Sequence, residues 1–214
     1  MGRPKLEKFA ALTDMSNVVE RQPLHKGNWS KDFFGNNQPL VLELACGKGD
    51  YAIGMAKIFP EKNFIGVDIK GHRLFTAANT ASKAGLTNVA FIREQIDHLE
   101  NYFEGGEIDE IWITFPDPFL KNSRSRKRLT SEKFLPIYKK ILKPGGLIHL
   151  KTDSTPLYLF TKEVIESTGA KLLIDSPNVY EDGTQEKLLM GIQTYYEKMH
   201  IADGRTIQYL CFRL

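Results

Sequence analysis

The chain has little cysteine: Cys46 and Cys211 are its only two, far apart and each in apolar surroundings. Two thiols so placed exclude a disulfide-stapled framework and read as core residues in a reducing cytoplasm. Long apolar runs are missing as well. No stretch approaches the ~20 residues that a membrane helix requires, and Met1-Gly2-Arg3-Pro4-Lys5 has no apolar signal region behind it. The reading is therefore a cytoplasmic protein without a membrane partner. The histidines, His25, His72, His98, His149 and His200, show no ligand spacing, so no metal is expected. Excess charge of one sign is nearly absent too, with 29 Lys and Arg against 26 Asp and Glu. Overall charge thus does not point to nucleic acid, and only the placement of the cations can. A chain of 214 residues, 42% hydrophobic, is long enough for one domain with a substantial core.

Residues 1–38 carry no strong period. Lys5 to Leu12 is compatible with a short amphipathic helix, and Pro23, Gly27, Asn36 and Asn37 punctuate the remainder of the segment. It reads as an N-terminal extension, partly ordered at residues 1 to about 15, or else as a basic arm that orders on nucleic acid. The domain proper then spans 39–214. From Pro39 strands and helices alternate. Leu40–Ala45 reads as a strand, Cys46–Gly49 as a tight turn, and Asp50 as the N-cap of a helix over Tyr51–Phe59. Strands follow at Asn63–Val67, Val89–Arg93, Ile108–Thr114 and Gly146–Thr152, with helices at Lys70–Ala84, Thr130–Leu142 and Thr155–Thr168. Short apolar strands separated by helices mean parallel βαβ units. The tail breaks that rhythm. Lys171–Asp175 and Thr206–Arg213 read as strands, the last one antiparallel because no clear crossover helix precedes it.

One stretch organises the rest: Phe115-Pro116-Asp117-Pro118-Phe119, directly after the apolar strand Ile108–Thr114. Phe115 and Asp117 each precede a proline and are expected to be extended, so that Asp117 projects in a fixed direction from a stiff turn. Lys121, Arg124, Arg126, Lys127, Arg128 and Lys133 then face a single acid, Glu132, over residues 121–133. A fixed carboxylate beside a cluster of cations suits chemistry on a polyanion, and an acidic turn before a solvated basic helix start is the equally open alternative.

In open α/β sheets ligands bind at the carboxyl ends of the strands. There the sequence places Glu43, Asp68, Gln95, Asp117 and Asp153. Four acids on one rim repel one another and call for a cationic or multiply donating ligand. The turn Gly47-Lys48-Gly49-Asp50-Tyr51-Ala52, with Asp68 where a ribose-binding acid would stand, suits a nicotinamide dehydrogenase as well. Glu43 discriminates. A pyrophosphate site on the turn and helix N-terminus would be repelled by that carboxylate. A ligand with ribose hydroxyls, no phosphate and positive charge would be welcomed. S-adenosyl-L-methionine, with its sulfonium and ammonium, has those properties.

Six segments, taken together, resemble the bacterial tRNA (guanine-N7)-methyltransferases from about Val41 to the C-terminus. They are Glu43–Gly49, Gly66–Lys70, Phe115–Pro118 with its basic run, Leu142–Gly146, Thr152-Asp153, and Thr194-Tyr195-Tyr196-Glu197. The resemblance implies a Rossmann-like class I methyltransferase fold, with a seven-stranded, mostly parallel sheet, an antiparallel last strand and helices on both faces. It implies 7-methylguanosine in the variable loop of tRNA as the product. Glu43, Gly47, Gly49, Asp68 and Gln95 would contact the cofactor, and Asp117, the catalytic residue, would lie between cofactor and guanine. Lys121, Asp153, Thr194, Tyr195, Tyr196 and Glu197 would contact the substrate. Arg124, Arg126, Lys127 and Arg128 would meet RNA phosphates. Phe119, Tyr195 or Tyr196 would stack on the base, with core packing as the competing role, favoured for Phe115 and Tyr196. Four positions depart from the family: Phe119 stands for a tryptophan, Gln95 for an acid, and Ser123 and Ser125 interrupt the basic run. A methyltransferase of another RNA or of a small molecule, a nicotinamide oxidoreductase and a non-catalytic RNA-binding protein are the alternatives, and the assembly is a monomer or a homodimer.

Overall fold

Leu40-Val41-Leu42-Glu43-Leu44 is apolar toward both faces, which a strand covered by helices on each side must be. In the computed structural model, which describes residues 5–20, 22–181 and 191–214, every residue of this segment is buried. The strands are β1 (Val18–Glu20), β2 (Leu40–Leu44), β3 (Asn63–Val67), β4 (Val89–Arg93), β5 (Ile108–Thr114), β6 (Leu142–Thr152), β7 (Lys171–Ser176) and β8 (Gln208–Arg213). The helices are α1 (Lys5–Ala10), α2 (Asp50–Ile58), α3 (Gly71–Lys83), α4 (Leu99–Tyr102), α5 (Leu135–Ile141), α6 (Thr155–Thr168) and α7 (Tyr195–Ala202). Eight strands among the described residues form one sheet in the order β1-β4-β3-β2-β5-β6-β8-β7. β1 to β6 pair in parallel, and β8 runs antiparallel to both β6 and β7. The strand order reverses beside β2, whose neighbours are β3 and β5, and that switch point opens a crevice at their carboxyl ends.

The expected seven strands become eight because Val18–Glu20 add an edge strand against Phe91–Arg93. Three residues are too few to show a period in sequence. Their pairing is set by partners elsewhere: Asn17 Nδ2 donates to Ala78 O at 2.9 Å, and Glu20 pairs with Arg93 at 2.8 Å. Two apolar layers sandwich the sheet. Leu40, Leu42 and Leu44 point to the side covered by α5 and α6, where Tyr138, Leu157 and Val164 pack. Val41 points to the opposite side with Tyr51 and Ala52 of α2 and Leu74 and Ala77 of α3. By the same alternation Glu43 lies under α2. Cys46 and Cys211 are both buried, and neither is in a disulfide. Among the described residues no helix is long and apolar enough to cross a membrane.

Three local expectations are corrected. Gly49, not Asp50, caps α2, with φ +70° and no side-chain cap bond, and Asp50 is the first helical residue. A Cβ on Gly49 would stand 2.8 Å from the Phe91 ring, so both conformation and space require glycine. The helix expected over Thr130–Leu142 shrinks to Leu135–Ile141, since Pro136 lacks an N–H and fits only a first turn, and residues Asn122–Lys127 form a 3-10 helix instead. Phe115 is left-handed, φ +48°, rather than extended: the clash with the following proline disfavours the right-handed helical region without choosing between the remaining ones.

The segment before β2 reaches the core through Trp29, fully buried, whose indole N–H donates to Tyr102 O at 2.8 Å and whose ring meets Phe33 and Phe103. Trp29→Ala should lower the unfolding free energy by about 3–5 kcal/mol, read as a fall in the urea midpoint with little change in slope.

Candidate active site at the carboxyl ends of the strands

Glu43 is the penultimate residue of β2 and is 2% exposed. Ala52 N–H of α2 donates to its Oε2 at 2.8 Å, and the Thr114 hydroxyl, at the end of β5, bonds its Oε1 at 2.8 Å. Burial pushes this carboxyl up from 4.5 to about 8, outweighing both hydrogen bonds, and the nearby Asp50 and Asp68 push the same way. Among the described residues no ion pair to Glu43 offsets the cost. The site is therefore a buried acid short of one positive charge.

The chain leaves β2 through three left-handed residues, Ala45 (φ +55°), Gly47 (φ +59°) and Gly49 (φ +70°). Asp68, at the end of β3, stitches this turn to its own: Gly47 N–H donates to Oδ2 at 2.9 Å and Lys70 N–H to Oδ1 at 2.7 Å. A cleft of about 120 Å3 opens here, lined by Glu43, Gly47, Lys48, Arg73, Phe115 and Thr194 among others. A second, of about 210 Å3, is lined by Asp68, Ile69, Gln95, Leu129 and Phe134, and Ala45 lines both. The first sets the acids Glu43 and Asp50 beside the cations Lys48 and Arg73, and the second surrounds apolar Ile69, Ile96, Leu129 and Phe134 with Asp68, Glu94, Asp97 and the amide of Gln95. The pair suits an elongated ligand with a cationic end, a hydroxylated middle and a flat aromatic end.

The Asp117 turn stands beside these clefts. Phe115 and Phe119 (φ +40°) are, with Ala45, the non-glycine residues in left-handed conformation among those described; Ala45 and Phe115 line the site, and Phe119 follows on the Asp117 turn. Asp117 is exposed, and its Oδ1 accepts from Phe119 N–H at 3.1 Å. Lys121, Arg124, Arg126 and Lys127 are exposed on and just before the 3-10 helix. Arg128 is not with them. It is 5% exposed and bonded to the carbonyls of Pro118 and Phe119, which removes it from the expected phosphate contacts.

The remaining residues are held in ion pairs. Asp153, after β6, meets Arg205 at 2.8 Å and His200 at 3.5 Å. Thr194 caps α7 by accepting from Glu197 N–H at 3.1 Å. The Glu197 carboxylate is buried against Lys151 Nζ at 2.7 Å and accepts from Tyr180 Oη at 2.8 Å. The side chains of Tyr195 and Tyr196 lie outside the described residues. The structure thus brings Glu43, Gly47 and Thr194 into one cleft and Asp68 and Gln95 into its neighbour. Asp117 and Lys121 line neither. Thr114, Arg73, Lys151 and Arg205 were not singled out in the sequence. Thr114 carried a signal, as a hydroxyl at a strand end beside Glu43, and the other three carried none.

The parallel sheet with its reversal at β2, the antiparallel β7–β8 pair at the far edge and a cleft holding a buried acid at the switch point define a class I methyltransferase fold. Solved structures agree. The 16S rRNA methyltransferase KamB superposes with a TM-score of 0.67 at 16% identity, over 92% of this chain and 98% of that one. A SAM-dependent methyltransferase from Aquifex aeolicus gives 0.56 at 15% identity over the whole of both chains. Residues 37–210 match the profile of a family described as "Putative methyltransferase". The tRNA (guanine-N(7)-)-methyltransferase of Bacteroides thetaiotaomicron is 44% identical over 100% of this chain and 87% of that protein. That of Porphyromonas gingivalis is 48% identical over 88% and 77%. The chain belongs to the tRNA (guanine-N7)-methyltransferase family.

Glu43 gives the site a measurable signature. The folded protein holds its proton between pH 4.5 and about 8, where the unfolded chain has lost it. Stability of the ligand-free protein should therefore fall as pH rises through that window. Glu43→Gln, whose carbonyl can accept from Ala52 N–H while its amide donates to the Thr114 hydroxyl, removes the charge and should melt above wild type at pH 8 and close to it near pH 4.5, in thermal scans across pH.

Proposed function

We propose that this chain transfers the methyl group of S-adenosylmethionine to N7 of a guanine in the variable loop of tRNA, forming 7-methylguanosine. The observation that carries the reading is the cleft over buried Glu43 at the β2–β5 switch point, sharing Phe115 with a turn that presents Asp117 beside exposed cations. When bound, the cofactor supplies an electrophilic methyl on a sulfonium centre. The protein's donor set fits such a group. Glu43 lacks a compensating positive charge, which a cation beside it would supply, returning the carboxyl to its ionised form. Asp68 presents a carboxylate already oriented by two backbone N–H groups, suited to ribose hydroxyls. Gln95 offers donor and acceptor beside Ile69, Ile96, Leu129 and Phe134, an apolar surface for a base in a cleft that also holds Asp68, Glu94 and Asp97.

Guanine N7 already carries an in-plane lone pair, so attack requires no prior deprotonation. The chain's task is orientation and the stabilisation of positive charge that grows on the base. Asp117, exposed on a constrained turn, is the carboxylate assigned to that role, accepting from the base's N1–H and amino group. Lys121, Asp153 and the segment from Thr194 through Tyr195 and Tyr196 to Glu197 complete the substrate contacts. Asp153 is held by Arg205, which fixes its direction before substrate arrives, and Glu197, fully buried against Lys151, holds the segment in place. Residues 1–38 serve as an extension of the catalytic domain formed by 39–214. Arg124, Arg126 and Lys127 take phosphates.

The test is nucleoside analysis of unmodified tRNA after incubation with the protein and S-adenosylmethionine. Wild type should produce 7-methylguanosine, and Asp117→Ala should fall by two orders of magnitude or more, roughly the effect of losing a preorganised electrostatic partner, while still binding tRNA. Absence of 7-methylguanosine with the wild-type protein would refute the assignment. Replacing Arg124, Arg126 and Lys127 together by alanine should leave kcat within about twofold, raise KM for tRNA, and reduce its log–log salt slope by about 2–3.

A further inference from the structure

Arg128 ends the basic run in sequence but faces inward. Its Nε donates to Pro118 O and its Nη2 to Phe119 O, each at 3.1 Å. The guanidinium carbon stands 4.3 Å from the centre of the Phe160 ring on α6, and the residue is 5% exposed. Among the described residues no carboxylate lies within ion-pair distance of it. A buried guanidinium is thus spent on two backbone carbonyls and an aromatic face.

Those two carbonyls flank one amide, the N–H of Phe119, and that N–H is what Asp117 Oδ1 accepts. Phe119 itself is left-handed at φ +40°, a conformation a bulky residue does not hold without external constraint. The planar fork of arginine matches two acceptors in one plane, and a lysine ammonium on a flexible stem does not. Arg128 also caps the 3-10 helix, its own N–H donating to Ser125 O at 3.0 Å. The cationic helix and the Asp117 turn therefore share one fixed post.

We propose that Arg128 is a positioning residue: it locks the Pro118–Phe119 peptide so that Asp117 keeps the direction turnover requires, and it does not bind RNA. The proposal rests on the assignment of Asp117 to the reacting centre. It predicts a change in kcat, whereas a phosphate contact would change KM.

The experiment is steady-state methylation of unmodified tRNA by full-length Arg128→Ala, Arg128→Lys and Asp117→Asn, with S-adenosylmethionine affinity measured by calorimetry. For Arg128→Ala, kcat should fall about tenfold or more, the scale of a slightly misplaced reacting group, with KM for tRNA and cofactor affinity within about twofold. Arg128→Lys, which retains the charge, should show a smaller loss, again in kcat alone. If Arg128→Ala fails to fold, Arg128→Lys decides by the same split. A rise in KM for tRNA at unchanged kcat, or wild-type kinetics, overturns the proposal. Loss of activity in Asp117→Asn together with wild-type kinetics at Arg128 would sink the positioning role alone. Wild-type turnover by Asp117→Asn would sink the catalytic reading on which it rests.

Discussion

The site depends on one buried carboxyl. Glu43 is set at the junction of β2, β5 and α2, with one oxygen fastened to the backbone of Ala52 and the other to Thr114. Two hydrogen bonds fix its direction but do not repay the loss of water, and so its proton is retained up to about pH 8. An acid in that state is a poor stabiliser of the empty fold and a strong partner for an incoming cation. The same burial that costs folding energy prepares binding energy, a trade that functional sites commonly show.

Backbone strain is distributed in the same place. Ala45, Phe115 and Phe119 take left-handed conformations, and they bracket the ends of β2 and β5. Ala45 and Phe115 do so directly after their strands, and Phe119 within the turn that follows. Neighbouring bonds hold each of the two turns: Asp68 takes the Gly47 and Lys70 amides on one side, and Asp117 and Arg128 take the Phe119 amide and its flanking carbonyls on the other. The β2 side carries the buried acid Glu43 and the β5 side the exposed acid Asp117.

The C-terminal part of the chain contributes in a different way. α7 closes over the end of β6 through Lys151 and Glu197, a fully buried ion pair reinforced by Tyr180. Burial pulls the Lys151 ammonium down, and the carboxylate beside it opposes that shift. Such a pair is weak evidence for stability, because desolvation consumes much of its attraction, but it is costly to break from one side only. It therefore specifies where the Thr194–Glu197 segment sits more than how strongly the domain folds. Asp153 is tied by Arg205 in the same region. The consequence is that Asp153 and the fully buried Glu197 each have a fixed direction.

Strands β2 to β5, the glycine turn and the order of acids at the strand ends are legible from the letters alone. Those features are local: apolar runs bounded by glycine, proline and polar residues declare themselves within a few positions. Packing between distant segments settled the rest. Val18–Glu20 became a strand only because β4 offered an edge, and Pro136 together with its surroundings cut α5 short. Arg124 and Arg128 look equivalent as letters, but Phe160, from another helix, covers one and leaves the other in water. Glu43 and Asp117 likewise read as two rim carboxylates, yet one is desolvated by α2 and Thr114 and the other stays exposed. Whether a charge is solvated, paired or stranded depends on what distant segments pack over it, and no short-range pattern records that.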